Sequence, residues 1–225
     1  MTTSLLENIQ QQLTPERIQY LSALVGETPF HTQKAVDGAI STLFVGLMHL
    51  SLSEDGPNQL LNLLNHDNYG RLLNNLSGLR EQGNTAEILM AAGQDILSAL
   101  FAGQLSTVNE VLATASDVAS TSASSLLSLT APVVVGVVER ARAIQGLNAA
   151  RLTKDLLDQK YVLSKQAPIG LAGVFGLSNV TDLGTELMGP ETALAPNPAR
   201  RMAVTPVRED SVLKKWLRLV LGPSQ

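Results

Sequence analysis

Three histidines, His31, His49 and His66, are the side chains in this chain best suited to binding a metal or moving a proton. Either task needs groups that converge, and helical metal sites place their ligands a few residues apart on one face. These three are spread over separate segments, and each reads as a turn residue or a half-exposed helix position. His66-Asp67 is the one histidine with an adjacent acid, and Asp67 reads as the cap of the helix that follows. Nucleophilic catalysis finds no better support. Ser164-Lys165 adjoin without the helical spacing of a Ser-x-x-Lys dyad, and no Gly-x-Ser-x-Gly elbow is present. Gly170, Gly173 and Gly176 in PIGLAGVFG lack the Gly-Lys-Ser/Thr ending of a phosphate loop and the strand that precedes a dinucleotide loop. They read as a tight loop or a helix contact. With no cysteine, thiolate metal sites and disulfides are excluded. The reading is of a non-enzymatic protein with no catalytic residue, no metal site and no cofactor. An enzyme with an unfamiliar site would need a polar pocket around His66, Asp67 and Arg71.

The elements that would position any site are helices. Apolar residues make up 44% of the 225 and aromatics only 4%, so the core must be built from Leu, Val, Ile and Ala. Ala35, Val36, Ala39, Ile40, Leu43, Phe44, Leu47 and Met48 follow the three-four spacing of a buried helical stripe. KAVDGAISTLFVGL (34–47) and ASSLLSLTAPVVVGVV (123–138) both end in Val-Gly followed by an apolar residue, and Gly46 falls on Gly136 at an offset of 90 residues. The expected fold is all-α, with two pseudo-repeated multi-helix halves. A glycine inside a helix costs about 1 kcal/mol against alanine. Gly38, Gly46 and Gly136 are therefore candidate packing positions where a neighbouring helix comes close. Val133-Val134-Val135 has strand propensity, but the helical spacing continues through it from Leu126, and Pro132 is expected to kink the helix.

Helix punctuation is legible along the chain. Ser4 with Glu7 forms a capping box, and Thr14-Pro15-Glu16 opens a helix that Gly26 closes. Asp55-Gly56-Pro57 starts a helix through Leu60 and Leu64. His66–Gly70 reads as a turn before a short helix through Leu76. Asn84 with Glu87, and Thr107 with Glu110, cap two more. A further helix is expected over Asn148–Lys160.

Beyond Leu177 the pattern changes. The reading places the helical domain at 1–177, a Pro/Gly-rich flexible linker at 178–210 and a basic amphipathic helix at 211–225. From Ala199 onward six basic residues face two acidic ones, which leaves ten basic and eighteen acidic residues before it. Val212, Leu213, Trp216, Leu217 and Val220 share one side of the final helix, with Lys214, Lys215 and Arg218 on the other. Lys214, Lys215, Trp216 and Arg218 are thus candidate contacts for a membrane surface through 211–221, or for a protein partner. The acidic body and a pI of about 5.4 argue against nucleic acid. MTTSLLENIQQQ lacks a cationic leader backed by an apolar stretch. The best spanning candidate, Ala86–Val108, is interrupted by Glu87, Gln94, Asp95 and Gln104. A cytoplasmic protein, or one at the inner face of the cytoplasmic membrane, is expected. Its partners would be proteins, a second copy of itself included.

The glycine-ended stretches, with LLNLLNHD between them, resemble the bacterial domain-of-unknown-function family numbered 937, to which a YidB-like family is distantly related. The resemblance runs over about Leu5–Leu177, and its most specific piece is Ala131-Pro132 leading to Gly136. Ser41-Thr42 stand where relatives often carry proline in the first-half helix. The resemblance implies an all-helical fold without an established activity or catalytic residues. Some relatives carry a membrane span and a peptidoglycan-binding domain like that of outer-membrane protein A.

Overall fold

The computed structural model describes residues 5–65 and 85–185, and every regular element among them is helical. Helices α1 (Leu5–Gln12) and α2 (Pro15–Val25) lead into the long α3 (Pro29–Ser51), and α4 (Gly56–Asn65) follows a short turn. The second stretch opens with α5 (Thr85–Phe101), passes through a 3₁₀ turn at Ala102–Gln104 and continues as α6 (Leu105–Ser116). Then come α7 (Ser120–Gln145), α8 (Ala149–Leu157), α9 (Lys160–Gln166), α10 (Leu171–Val174) and a 3₁₀ turn at Val180–Asp182. The run Val133–Val135 is helical, so apolar spacing overrides strand propensity there.

Several boundaries follow the sequence signals directly. Thr14 stands extended before Pro15, and Gly26 closes α2 in the left-handed region at φ 74°. Thr28 then caps α3 by accepting the His31 amide at 3.2 Å. Others differ. No helix starts at Thr107: α6 begins at Leu105, carried over from α5 through the 3₁₀ turn with Ala102 at φ 41°. The expected helix over Asn148–Lys160 is two, because the chain stops at Leu157 and restarts at Lys160, which brings Leu163 into the core beside Leu152 and Leu156. The packed body also runs past 177, since Val180 and Leu183 are buried. The boxes at Ser4–Glu7 and Asn84–Glu87, the segment His66–Leu76 and the stretch after 185 lie outside the described residues or rest on side chains outside them.

Two helices form the centre. Every residue from Gly38 to Met48 of α3, and every one from Leu126 to Val138 of α7, is buried. The sequence stripe shows one face; the fold covers all of them, as expected of an apolar helix in the heart of a domain. Hydroxyls in the enclosed middles of these helices bond to their own backbone: Ser41 Oγ donates to the Asp37 carbonyl at 3.1 Å, Thr42 Oγ1 to Gly38 at 2.8 Å, and Thr130 Oγ1 to Leu126 at 2.7 Å. Such internal bonds remove the cost of burying a hydroxyl.

Close helix approach requires the glycines. A Cβ on Gly46 would fall 2.8 Å from Phe101 Cζ, and one on Gly38 the same distance from Leu112 Cδ1. Gly136 is buried in α7. The tightest approach is at a glycine that sequence reasoning did not single out. A Cβ on Gly93 of α5 would lie 1.8 Å from the Ser128 carbonyl oxygen of α7. Ser128 is four residues before Pro132, so its carbonyl lost its helical donor to the proline ring. The Gly93 Cα–H group fills that vacancy at backbone contact, a weak but directional interaction.

Gly93→Ala adds helix propensity worth about 1 kcal/mol but must push two backbones apart, at about 1–3 kcal/mol. A lowered urea midpoint is expected. Gly103→Ala, where nothing lies within 4 Å, should leave the midpoint unchanged or raise it.

Candidate functional site

The described surface offers one well-formed apolar recess, of about 210 Å³, between the end of α1, α2, the start of α5 and α7. Its floor is Leu13, Leu21, Leu89, Leu129 and Val133. Each helix contributes because its apolar face turns toward α7, while the entering ends of α2 and α5 stay apart at the surface. Leu24, about half exposed, extends the apolar area outward. Gln12, Glu16, Arg17 and Tyr20 stand at the polar edge. The Arg17 guanidinium is fixed by donating to the Gln12 carbonyl. Exposed Glu16 is held below the usual carboxylate range by its own backbone amide and by Thr14. This layout suits an apolar guest with a polar border, and it gathers no acid–base pair or nucleophile.

Among the described residues, those that could do chemistry stay apart. His31 lies in the first turn of α3, 3.9 Å from the Asp117 carboxylate. His49 ends that helix with its ring 4.7 Å from Phe175, and desolvation favours its neutral form. His66, Asp67 and Arg71 lie outside the described residues. Ser164 donates to the Tyr161 carbonyl rather than to Lys165. Gly170 and Gly176 have positive φ, at 95° and 69°, as turn residues do. Among the described residues no three His, Asp or Glu side chains could share a metal ion. Lys214, Lys215, Trp216 and Arg218 lie outside the described residues.

One electrostatic contact was invisible in sequence. Ala119, the N-cap of α7, has no capping side chain of its own. Its amide donates instead to Glu27 Oε1 at 2.9 Å, across 92 residues of chain. Ser122 Oγ donates to the Val25 carbonyl at 3.2 Å. A carboxylate from the α2–α3 corner thus completes the start of the longest helix, where the helix dipole favours negative charge.

Two helical stretches are long and apolar enough to cross a membrane by length and composition, Ala86–Ser116 and Ser120–Gln145. Within the second, 83% of the most apolar 18-residue window is buried inside the fold, as a core helix would be. The first contains the break at Ala102–Gln104, and 33% of its window is buried.

Fold and recess together define an all-helical domain built on two enclosed helices. The chain belongs to a bacterial family of proteins of unknown function, DUF937, whose model matches residues 7–140. No curated protein and no solved structure matches it. The match is shorter than the resemblance suggested: it stops at Arg140, within α7, whereas Leu152, Leu156, Leu163 and Leu171 beyond it complete the core.

The Ala119 and Ser122 hydrogen bonds, and to a lesser degree His31, hold the Glu27 pKa below its usual value. Glu27 therefore stabilises the fold above the ordinary carboxylate range and ceases to as pH falls through its lowered pKa. Glu27→Gln should show a smaller loss of urea midpoint between pH 7 and pH 3 than the parent chain.

Proposed function

We propose that this protein is a non-enzymatic binding module whose recess between α2, α5 and α7 takes the apolar face of an amphipathic helix from a protein partner. The apolar floor of Leu13, Leu21, Leu89, Leu129 and Val133, open to solvent and flanked by half-exposed Leu24, carries this reading. Helix-in-groove recognition uses such a surface. The partner's charge is basic, because ten basic and eighteen acidic residues precede Ala199, while Glu16 and Arg17 balance each other at the border itself. The module works in the cytoplasm, at the inner face of the membrane, with a second copy of the chain as the competing occupant.

Titration with a model amphipathic Leu/Lys helix, followed by calorimetry, tests this. Saturable binding at micromolar concentration is expected, weakened tenfold or more by Leu24→Lys at the half-exposed rim, with circular dichroism unchanged. No binding, together with a strictly monomeric mass by light scattering, would overturn the reading.

The sequence pattern of 211–221 supports a second contact, at the membrane. Trp216 and Leu217 beneath Lys214, Lys215 and Arg218 suit an anionic headgroup boundary. The full chain should sediment with anionic liposomes, and a chain lacking Ser211–Gln225 should not. Equal sedimentation of both would remove the tail from the account.

A further inference from the structure

A second cavity, of about 490 Å³, lies where α1, α3, α6 and the turn after α9 meet. Its chemistry differs from that of the apolar recess. Asp37 of α3 stands in its wall, half buried, and accepts one hydrogen bond, from Gln33 Nε2 at 3.0 Å. No Lys, Arg or His among the described residues pairs with it, although Lys34 lies along the same wall. Burial pushes the Asp37 carboxyl above its usual pKa, against the opposing effect of the Gln33 hydrogen bond.

Further negative potential comes from the backbone. The twelve-residue α6 ends in the cavity wall at Ala115 and Ser116, and α9 ends there at Gln166. The amides that follow α6 bypass its final residues: Asp117 and Val118 both donate to Ala113, and Ala119 donates to Glu27. The Ala115 and Ser116 carbonyls therefore accept no backbone donor among the described residues, and the negative end of the α6 dipole lies in the wall beside Asp37. Gly38 lets α6 and the turn after α9 come close to Asp37, since a Cβ there would crowd Leu112 and Pro168. The outer lip is apolar. Pro168 and Ile169 line it, and Ile169 is 96% exposed, an expensive place for an isoleucine with nothing beside it.

We infer that this cavity is a binding site for a primary ammonium group on an aliphatic stem, the chemistry of a lysine side chain or a free alkylamine. The three N–H donors of an ammonium match one carboxylate and the converging carbonyls, which a hydroxyl or a carboxylate guest cannot do. The stem lies against Pro168 and Ile169. A divalent cation is a poorer match, because the cavity supplies a single carboxylate.

The test is titration of the isotope-labelled full chain with n-pentylammonium, followed by amide shifts, with 1-pentanol as the uncharged control. Saturable millimolar binding that moves the amides of Asp37, Ser116 and Ile169 is expected, and pentanol should move none of them. Asp37→Asn should weaken binding at least tenfold. Ile169→Ser, at a site too exposed to threaten the fold, should weaken it several-fold. A lysine blocked at both backbone ends should bind as the amine does, and its Nζ-acetyl form should not. A protein-borne lysine is the guest if the blocked lysine binds more tightly than pentylammonium, and a free amine if less tightly. Equal response to pentanol, unchanged binding by both variants, or no shift at the cavity would overturn the inference. None of these readouts involves the recess on α2, α5 and α7, so the two sites stand or fall separately.

Discussion

Enclosing a helix on every side is demanding, and this fold does it twice. A helix with a solvent face can turn its polar side chains outward; the middles of α3 and α7 have no such face. Their hydroxyls turn back on the preceding turn, and their neighbours must approach to within a side chain's thickness. Where Pro132 leaves the Ser128 carbonyl without its amide, only a residue lacking a side chain can cover it, and Gly93 does. Close-packed interiors transmit such constraints, because there is little void space to absorb a displaced atom.

The surface features follow from that enclosure. Helices α2 and α5 both pack on α7, and the apolar recess lies among the three. On α3, the notch at Gly38 that admits Leu112 also brings the end of α6 and the turn after α9 around Asp37. Both concavities border the enclosed helices, with the turns at Leu13–Thr14 and Ala167–Ile169 completing their walls.

Much of this organisation was legible in the residues. Local signals were read well: Thr14-Pro15 and Gly26 bound α2, and the three-four run from Ala35 to Met48 marks α3. Local periodicity also decided correctly against a strand at Val133–Val135. It failed where the partner is distant in sequence. Gly93 carries no local signal because its reason is a carbonyl on another helix. Glu27 carries none because the amide it caps is 92 residues away. The recess is made of leucines that each read as ordinary core, and only their joint arrangement leaves one side open. Thr107 misled for the opposite reason: its capping pattern was genuine, but the chain was already turning as a helix when it reached it.

The family match closes at Arg140, five residues before the end of α7. A gene trimmed to that edge would sever the longest helix inside its final turns. It would also discard Leu152 and Leu156, Leu163, Leu171 and the Val180–Leu183 turn, stripping α3 and α4 of the cover that keeps them dry. The segment the family model matches is therefore smaller than the segment that closes the core. Expression trials would do well to carry the chain past Leu183.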